Sequence, residues 1–318
     1  NNLFNSIWET LQNLLENVEH RNIHQINLST TVSTNAIIEN KISPVAMFIQ
    51  SGPGLPNDFL ACGDENIFLS GYIDHRGRVV QNINTTDIKK QIHTLKDKKI
   101  SVSGVVTKFS TRNPEQELQI KELLQDHFSH ITMGHQMSGK LNFPRRVNTT
   151  YLNAAVHDTF KTFSQHIKTA MEKEKLSHIP LYILKADGGT MDLASAEHKP
   201  VETILSGPAA SLMGINALLH TKQDAILLDI GGTTTDIFFL VDGVPLFEPL
   251  GIQIDRYKTL VRSIYSQSIG IGGDSHIKVV HGQLQIGPER KGKPMAFGGP
   301  YPTPTDAMIV LGHITEGD

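Results

Sequence analysis

An apolar run, Ala225-Ile226-Leu227-Leu228, enters the segment Asp229-Ile230-Gly231-Gly232-Thr233-Thr234-Thr235-Asp236 and leaves it as a second apolar run, Ile237-Phe238-Phe239-Leu240-Val241. No other feature of the sequence constrains the fold as strongly. In a P-loop or a dinucleotide-binding unit, the glycine-rich turn opens a helix. Here it opens a segment rich in Phe and Val, which favours a strand. The reading is a glycine-rich turn inside a β-hairpin, with Asp242-Gly243 as the next tight turn. Glycines let the backbone approach phosphate oxygens closely, and the amides and Thr hydroxyls can donate to those oxygens. Asp229 and Asp236 fall at the strand ends, where one carboxylate can hold Mg²⁺ directly or through water. The competing reading is an ordinary hairpin with Gly for shape and Thr for strand propensity, but it leaves two acids and three successive threonines without a purpose.

Upstream, strands and helices alternate. Residues 6–19 read as an amphipathic helix on Ile7, Leu11, Leu14, Leu15 and Val18, with Ser6 and Glu9 as a capping box. Gln25–Leu28 reads as a strand, followed by a short helix through Ile37 and Ile38. Pro44–Gln50 is a buried-strand pattern, and 51–86 reads as loops and short hairpins with a turn at Asp74–Gly77. Helices are expected at Thr86–Lys96, from Asn113-Pro114 to Phe128, and at Val147–Lys175. Strands are expected at Ile100–Thr107, Ile131–Met133 and Pro180–Ala186. That alternation points to mixed or parallel sheets covered by helices. Glycine-rich turns become dense beyond Ser177–Pro180, which places a boundary between two lobes, 1–178 and 179–318. The stretch 287–304, rich in Gly, Pro and Lys, reads as a surface loop.

Composition narrows the function classes. The 318 residues carry 29 Lys+Arg against 32 Asp+Glu, a net charge of −3, so nothing favours nucleic acid or an anionic membrane as partner. The single cysteine, Cys62, excludes an internal disulfide and a Cys-based zinc site. No apolar run approaches the ~18 residues of a membrane span, and no signal peptide is evident, so the expected location is the cytoplasm. The chain opens on Asn1 without Met, as a fragment would.

Five further segments accompany the hairpin in a fixed order. They are Ser29-Thr30-Thr31-Val32-Ser33-Thr34-Asn35-Ala36-Ile37-Ile38-Glu39, Lys185-Ala186-Asp187-Gly188-Gly189-Thr190-Met191, Pro200–Ser211, Ser268–Ser275 and Pro302-Thr303-Pro304-Thr305-Asp306-Ala307. Together these resemble the hydantoinase A/oxoprolinase family, most closely over 180–312. The resemblance implies a two-lobed actin-like ATPase (ribonuclease H-like) fold with mixed sheets flanked by helices. It implies lobes that close over Mg-ATP, and ATP-driven opening of a cyclic amide such as 5-oxoproline or a hydantoin. Relatives serve in ATP-dependent carboxylases, and a second hydantoinase-type subunit is an expected partner. The family's N-terminal hairpin of Asp-x-Gly-Gly-Thr type has no counterpart before Ser29, and its later adenosine-contacting Gly-Gly loop has none before Asp318. On the resemblance, the expectation is a fragment that lacks one phosphate clamp and part of the nucleotide site. Asp274 stands where many relatives have a third glycine. The alternatives are a non-catalytic domain that binds a nucleotide or a partner, and a small-molecule kinase on the same fold.

Asp229 and Asp236 are the candidate catalytic pair, with Asp229 as the metal ligand. Gly231, Gly232, Thr233 and Thr234 form the candidate phosphate cradle. Gly270, Gly272, Gly273 and Asp274 are candidates to approach the nucleotide, against a plain glycine-rich connector. Ser206 and Gly207, ahead of an apparent helix, could face an anion or simply cap that helix. Thr30, Thr31 and Asn35, with Asp187, Gly188 and Gly189, are the substrate-side candidates, against simple capping and a type I′ turn. A metal site among His127, His130 and His135 is disfavoured because they span a helix end, a strand and a loop.

Overall fold

The structure is a computed structural model and describes residues 3–315 except 17, 19, 96, 97 and 220. Contacts divide the chain into two compact units, Asn1–Ala209 with Glu248–Ser263, and Ala210–Phe247 with Ile264–Asp318.

The first unit opens with α1 (Leu3–Leu15), β1 (Ile26–Leu28) and α2 (Val32–Ile38). Next come β2 (Val45–Gln50), β3 (Glu65–Phe68), and a small hairpin of β4 (Tyr72–Ile73) and β5 (Val79–Gln81). α3 (Thr85–Leu95), β6 (Val102–Thr107), α4 (Glu115–Leu124), β7 (His130–Met133) and α5 (Gly134–Met137) alternate. The long α6 (Phe143–Lys173) follows, then β8 (Leu181–Leu184), β9 (Thr190–Asp192) and α7 (Leu193–His198).

β3, β2, β6 and β7 form an all-parallel sheet in that order. Every residue of β2 and β6 is buried, because helices cover both faces of such a sheet. Met47 and Ile49 pack with Val147, Tyr151 and Leu152 of α6, whereas Ala46 and Phe48 pack with Ile88, Ile120 and Leu124 of α3 and α4. α6 starts where it does because Asn142 Oδ1 accepts from the Arg145 amide at 3.2 Å and Pro144 sits in the first turn. Its later residues Phe160, Phe163 and Ile167 cover Ile183 of a second sheet, in which β1 runs parallel to β8 and β9 antiparallel to it.

Among the described residues of this unit, a buried polar cluster and a half-buried histidine pair stand out. Glu117 accepts from the amides of Thr107 at 2.8 Å and His135 at 2.9 Å, and lies 2.6 Å from His135 Nδ1. Arg146 is fully buried nearby, so desolvation lowers its pKa while the Glu117 carboxylate works against that. The rings of His130 and His157 stack at 3.5 Å. Burial first, then the His157 charge, pushes His130 down to about 3.

α8 (Ser206–Leu219) carries the chain across the division. β10 (Ala225–Ile230) and β11 (Thr235–Val241) pair antiparallel, and β12 (Val244–Pro245) follows through the Asp242-Gly243 turn. The chain then returns to the first unit as β13 (Gln253–Ile254) and β14 (Tyr257–Lys258). Arg145 Nη1 fixes this return by donating to the carbonyls of Gly251 at 3.0 Å and Thr259 at 2.9 Å, while Thr149 Oγ1 accepts from the Leu260 amide at 2.9 Å. Back in the second unit, β15 (Ser266–Ile269) pairs with β11, β16 (Ser275–Val280) pairs with β17 (Gln283–Arg290), and α9 (Pro304–Val310) follows.

Several boundaries differ from the sequence reading. α1 begins at Leu3, so Ser6 lies inside the helix rather than capping it. Pro114 occupies the N-cap of α4, with Asn113 Oδ1 accepting from the Glu115 amide at 2.9 Å, and the helix ends at Leu124. The expected loop from 287 begins as strand, because β17 runs to Arg290. The composition shift at 178 falls inside the first unit, since β8 after it pairs with β1 before it. Among the described residues no helix is long and apolar enough to cross a membrane.

Candidate functional site

The second unit gathers three of the sequence segments. In the β10–β11 hairpin Asp229 lies directly opposite Asp236, at the strand ends. The turn between them closes with the Gly231 amide donating to the Thr234 carbonyl at 2.9 Å. Gly231, Gly232, Thr233 and Thr234 are all exposed. Among the described residues, the amides of Gly232, Thr233 and Thr234 donate to no protein acceptor. Three successive N–H groups on this exposed turn are thus left open to an acceptor from outside the protein. Neither the Asp229 nor the Asp236 carboxylate, both half-buried, makes a hydrogen bond or ion pair with a described residue.

The glycine-rich segment after β15 backs this turn. The Gly273 amide donates to the Gly231 carbonyl at 2.9 Å and the Asp274 amide to the Gly232 carbonyl at 2.7 Å. Thr235 Oγ1 donates to the Ile271 carbonyl at 2.7 Å. The approach is so close that a Cβ on Gly272 would stand 2.5 Å from the Gly231 oxygen and 2.7 Å from the Gly232 carbonyl carbon. Gly270 faces Pro288 instead, with 3.0 Å between its Cβ position and that ring. The third segment closes behind: the Thr305 amide and hydroxyl both donate to the Gly273 carbonyl, at 2.9 and 2.8 Å. Thr303 and Asp306 form the capping box that starts α9.

Sequence reasoning missed one residue here. Arg290 Nη2 lies 2.6 Å from Asp274 Oδ2, and its Nη1 donates to Thr233 Oγ1 at 3.3 Å. It ends β17, in a stretch with no apolar alternation that reads as surface loop. Nothing local in the sequence ties it to a turn 57 residues earlier.

The first unit gathers the other segments. Ser206 Oγ donates to the Thr30 carbonyl at 3.0 Å, Thr34 Oγ1 accepts from the Leu205 amide at 2.9 Å, and Thr203 Oγ1 donates to Ser33 Oγ at 3.1 Å. Thr30 is buried, and its hydroxyl accepts from the Val32 amide. Thr31 and Asn35 stay exposed at the start of α2, joined by an Asn35 Nδ2 to Thr31 Oγ1 bond of 3.2 Å. Gly207 lies beside Thr31, whose methyl would be 3.8 Å from a Cβ there. Asp187, Gly188 and Gly189 form the β8–β9 turn. Gly188 takes φ +80°, and Asp187 Oδ1 accepts from the Gly189 amide at 3.0 Å. Lys185 bridges Asp187 at 3.4 Å and Glu202 at 3.1 Å. The substrate-side candidates thus lie in the first unit and the nucleotide-side candidates in the second, apart from Ser206 and Gly207.

Burial pushes the Cys62 thiol up to about 12, which leaves no thiolate nucleophile near neutral pH. Among the described residues, no group of three His, Cys, Asp or Glu side chains is placed to hold a metal ion. A resident all-protein metal centre therefore does not fit. A single unengaged carboxylate such as Asp229 would suffice for a hydrated Mg²⁺ shared with a phosphate.

The comparisons agree with this architecture. The structure matches the crystal structure of the ATP-dependent caprolactamase of Pseudomonas jessenii with a TM-score of 0.77 at 22% identity, over 99% of this chain and 50% of that one. The chain shares the fold of that hydantoinase-type enzyme. A model of the hydantoinase/oxoprolinase family matches residues 146–318, more than half of the chain, and one of the family's N-terminal region matches 1–128. The chain belongs to the hydantoinase/oxoprolinase family. It is 26% identical over 264 residues to the acetophenone carboxylase gamma subunit of Aromatoleum aromaticum, covering 76% of this chain and 35% of that protein. It is 25% identical over 342 residues to 5-oxoprolinase 1 of Arabidopsis thaliana, covering 92% of this chain and 26% of that protein. The chain thus spans about a third or less of these two relatives.

Proposed function

We propose that this chain is the nucleotide-binding portion of an ATP-dependent cyclic amidohydrolase. The observation that carries the reading is the β10–β11 turn, with three unpaired amides between two unengaged carboxylates. On this reading the amides of Gly232, Thr233 and Thr234 hold phosphate oxygens, and Gly272 and Gly273 keep the turn in shape from behind. Asp229 would hold Mg²⁺, directly or through water, with Asp236 beside it. When bound, the ion neutralises charge on the phosphates. The reaction class is amide hydrolysis driven by ATP. Phosphorylation of the amide oxygen makes its carbon electrophilic, water adds there, and the C–N bond breaks with release of ADP and phosphate. The caprolactamase and 5-oxoprolinase relatives support a cyclic amide as substrate. Thr31, Asn35 and the Asp187–Gly189 turn are the proposed substrate-side donors. A second hydantoinase-type subunit is the proposed partner, and ATP consumption favours the cytoplasm. The test is phosphate release from Mg-ATP by the protein carrying this chain, with 5-oxoproline, a hydantoin or a lactam added. Stimulation by a cyclic but not a linear amide is expected. Release that no cyclic amide changes would contradict the reading.

A further inference from the structure

An ion pair lies directly against the proposed phosphate turn. Asp274 Oδ2 would be 2.9 Å from a Cβ on Gly232, and the Arg290 guanidinium carbon 3.9 Å from it. The two side chains are joined at 2.6 Å, and Arg290 also reaches Thr233 Oγ1. The Asp274 side chain is only 16% exposed and its backbone is pinned to Gly232, so the carboxylate is fixed beside the turn. The Arg290 side chain is 49% exposed. A guanidinium has five N–H donors in a planar fork. Two are accounted for by Asp274 and Thr233, which leaves others for an oxygen arriving from solvent. A carboxylate alone at this position would repel a phosphate. An arginine docked on that carboxylate and touching Thr233 does the opposite, because charged forked donors suit phosphate oxygens.

We propose that Arg290 is a phosphate-binding residue of the nucleotide site, and that Asp274 is the positioning residue that aims its guanidinium at the 231–234 turn. This rests on the nucleotide reading of that turn and adds a side chain on a separate hairpin, β16–β17, to its backbone donors. The ligand class is the polyphosphate of a nucleoside triphosphate.

The experiment is calorimetric titration of the 318-residue chain with Mg-ATP, with circular dichroism to establish that each variant is folded. Arg290→Ala is expected to weaken binding by roughly tenfold to a hundredfold, the range of a lost charge-assisted hydrogen bond. Arg290→Lys keeps the charge without the fork and should fall between. Asp274→Ala, which leaves the guanidinium unaimed, should weaken binding several-fold but less than Arg290→Ala, and the double variant should bind as weakly as Arg290→Ala; parental affinity in Asp274→Ala would overturn the positioning role. Recovery of parental affinity in the double variant would overturn the proposal, because Arg290 would then merely neutralise Asp274. Parental affinity in Arg290→Ala, while Asp229→Ala loses binding, would overturn it and leave the turn's role intact. Parental affinity in Asp229→Ala, or no binding by the parent chain, would overturn both. Arg290→Gln replaces Arg290→Ala if the latter fails to fold, with the same expectation.

Discussion

Replacing Gly272 by alanine tests whether the proposed cradle depends on two backbones in contact. The added Cβ would stand 2.5 Å from the Gly231 oxygen and 2.7 Å from both the carbon and the oxygen of Gly232. None of these is the end of a flexible side chain, so one backbone must move. Movement breaks the bonds from the amides of Gly273 and Asp274 to Gly231 and Gly232. Those are worth about 1 kcal/mol each, and forcing an extra methyl into a packed contact costs about 1–3 kcal/mol more. The sum, roughly 3–5 kcal/mol, falls on the second unit. Trp8, the single tryptophan, lies in α1 of the first unit, so its fluorescence is the wrong reporter. Amide hydrogen exchange reads the contact directly. Exchange at Gly273 and Asp274 should quicken by about tenfold or more, and Mg-ATP affinity should fall with it. Unchanged protection at both amides in Gly272→Ala would refute the reasoning.

Other consequences concern stability. Gly214→Ala, at an exposed position inside α8 with open space around the new Cβ, should stabilise by up to about 1 kcal/mol, read as a higher thermal midpoint. Glu117→Ala leaves Arg146 buried without its countercharge and should cost about 3–5 kcal/mol in urea unfolding followed by Trp8 fluorescence; a loss below about 1 kcal/mol would dismiss the buried network. His130 titrates near 3 when folded against 6.5 ordinarily, so the unfolded chain binds the proton first. Stability is therefore complete above about pH 6.5 and declines as pH falls toward 3, by at most about 5 kcal/mol. His130→Leu should flatten that decline, as measured by urea midpoints between pH 7 and pH 4.

The parts of the fold that were plain in the sequence have local causes. β2 announces itself as a continuous apolar run, Val45–Ile49, because helices cover both faces of its sheet. The β10–β11 hairpin shows because its turn joins two apolar runs. The return of residues 248–263 to the first unit has no such signal. It depends on Arg145 donating to carbonyls more than a hundred positions away, and any residue offers a carbonyl. β17 is hidden for another reason: its alternation, Gln283-Leu284-Gln285-Ile286, is short and runs into Gly287-Pro288, and seven of its eight residues are exposed. Arg290 was hidden with it. At the candidate site, the Asp229–Asp236 pair and the glycines of 270–273 were visible as residue types. That Gly272 lets two backbones come into close contact only the packing reveals. Thr30 reads as a donor in the sequence, yet it is buried, and its hydroxyl accepts from the Val32 amide.

The central claim is that the Asp229 turn binds Mg-nucleotide. Titration of Mg-ATP into the parent chain and into Asp229→Ala tests it most directly. The account predicts parental binding tighter than about millimolar, roughly 4 kcal/mol, and its loss in a variant whose circular dichroism and thermal midpoint are unchanged. An Asp229→Ala chain that binds as tightly as its parent would contradict it.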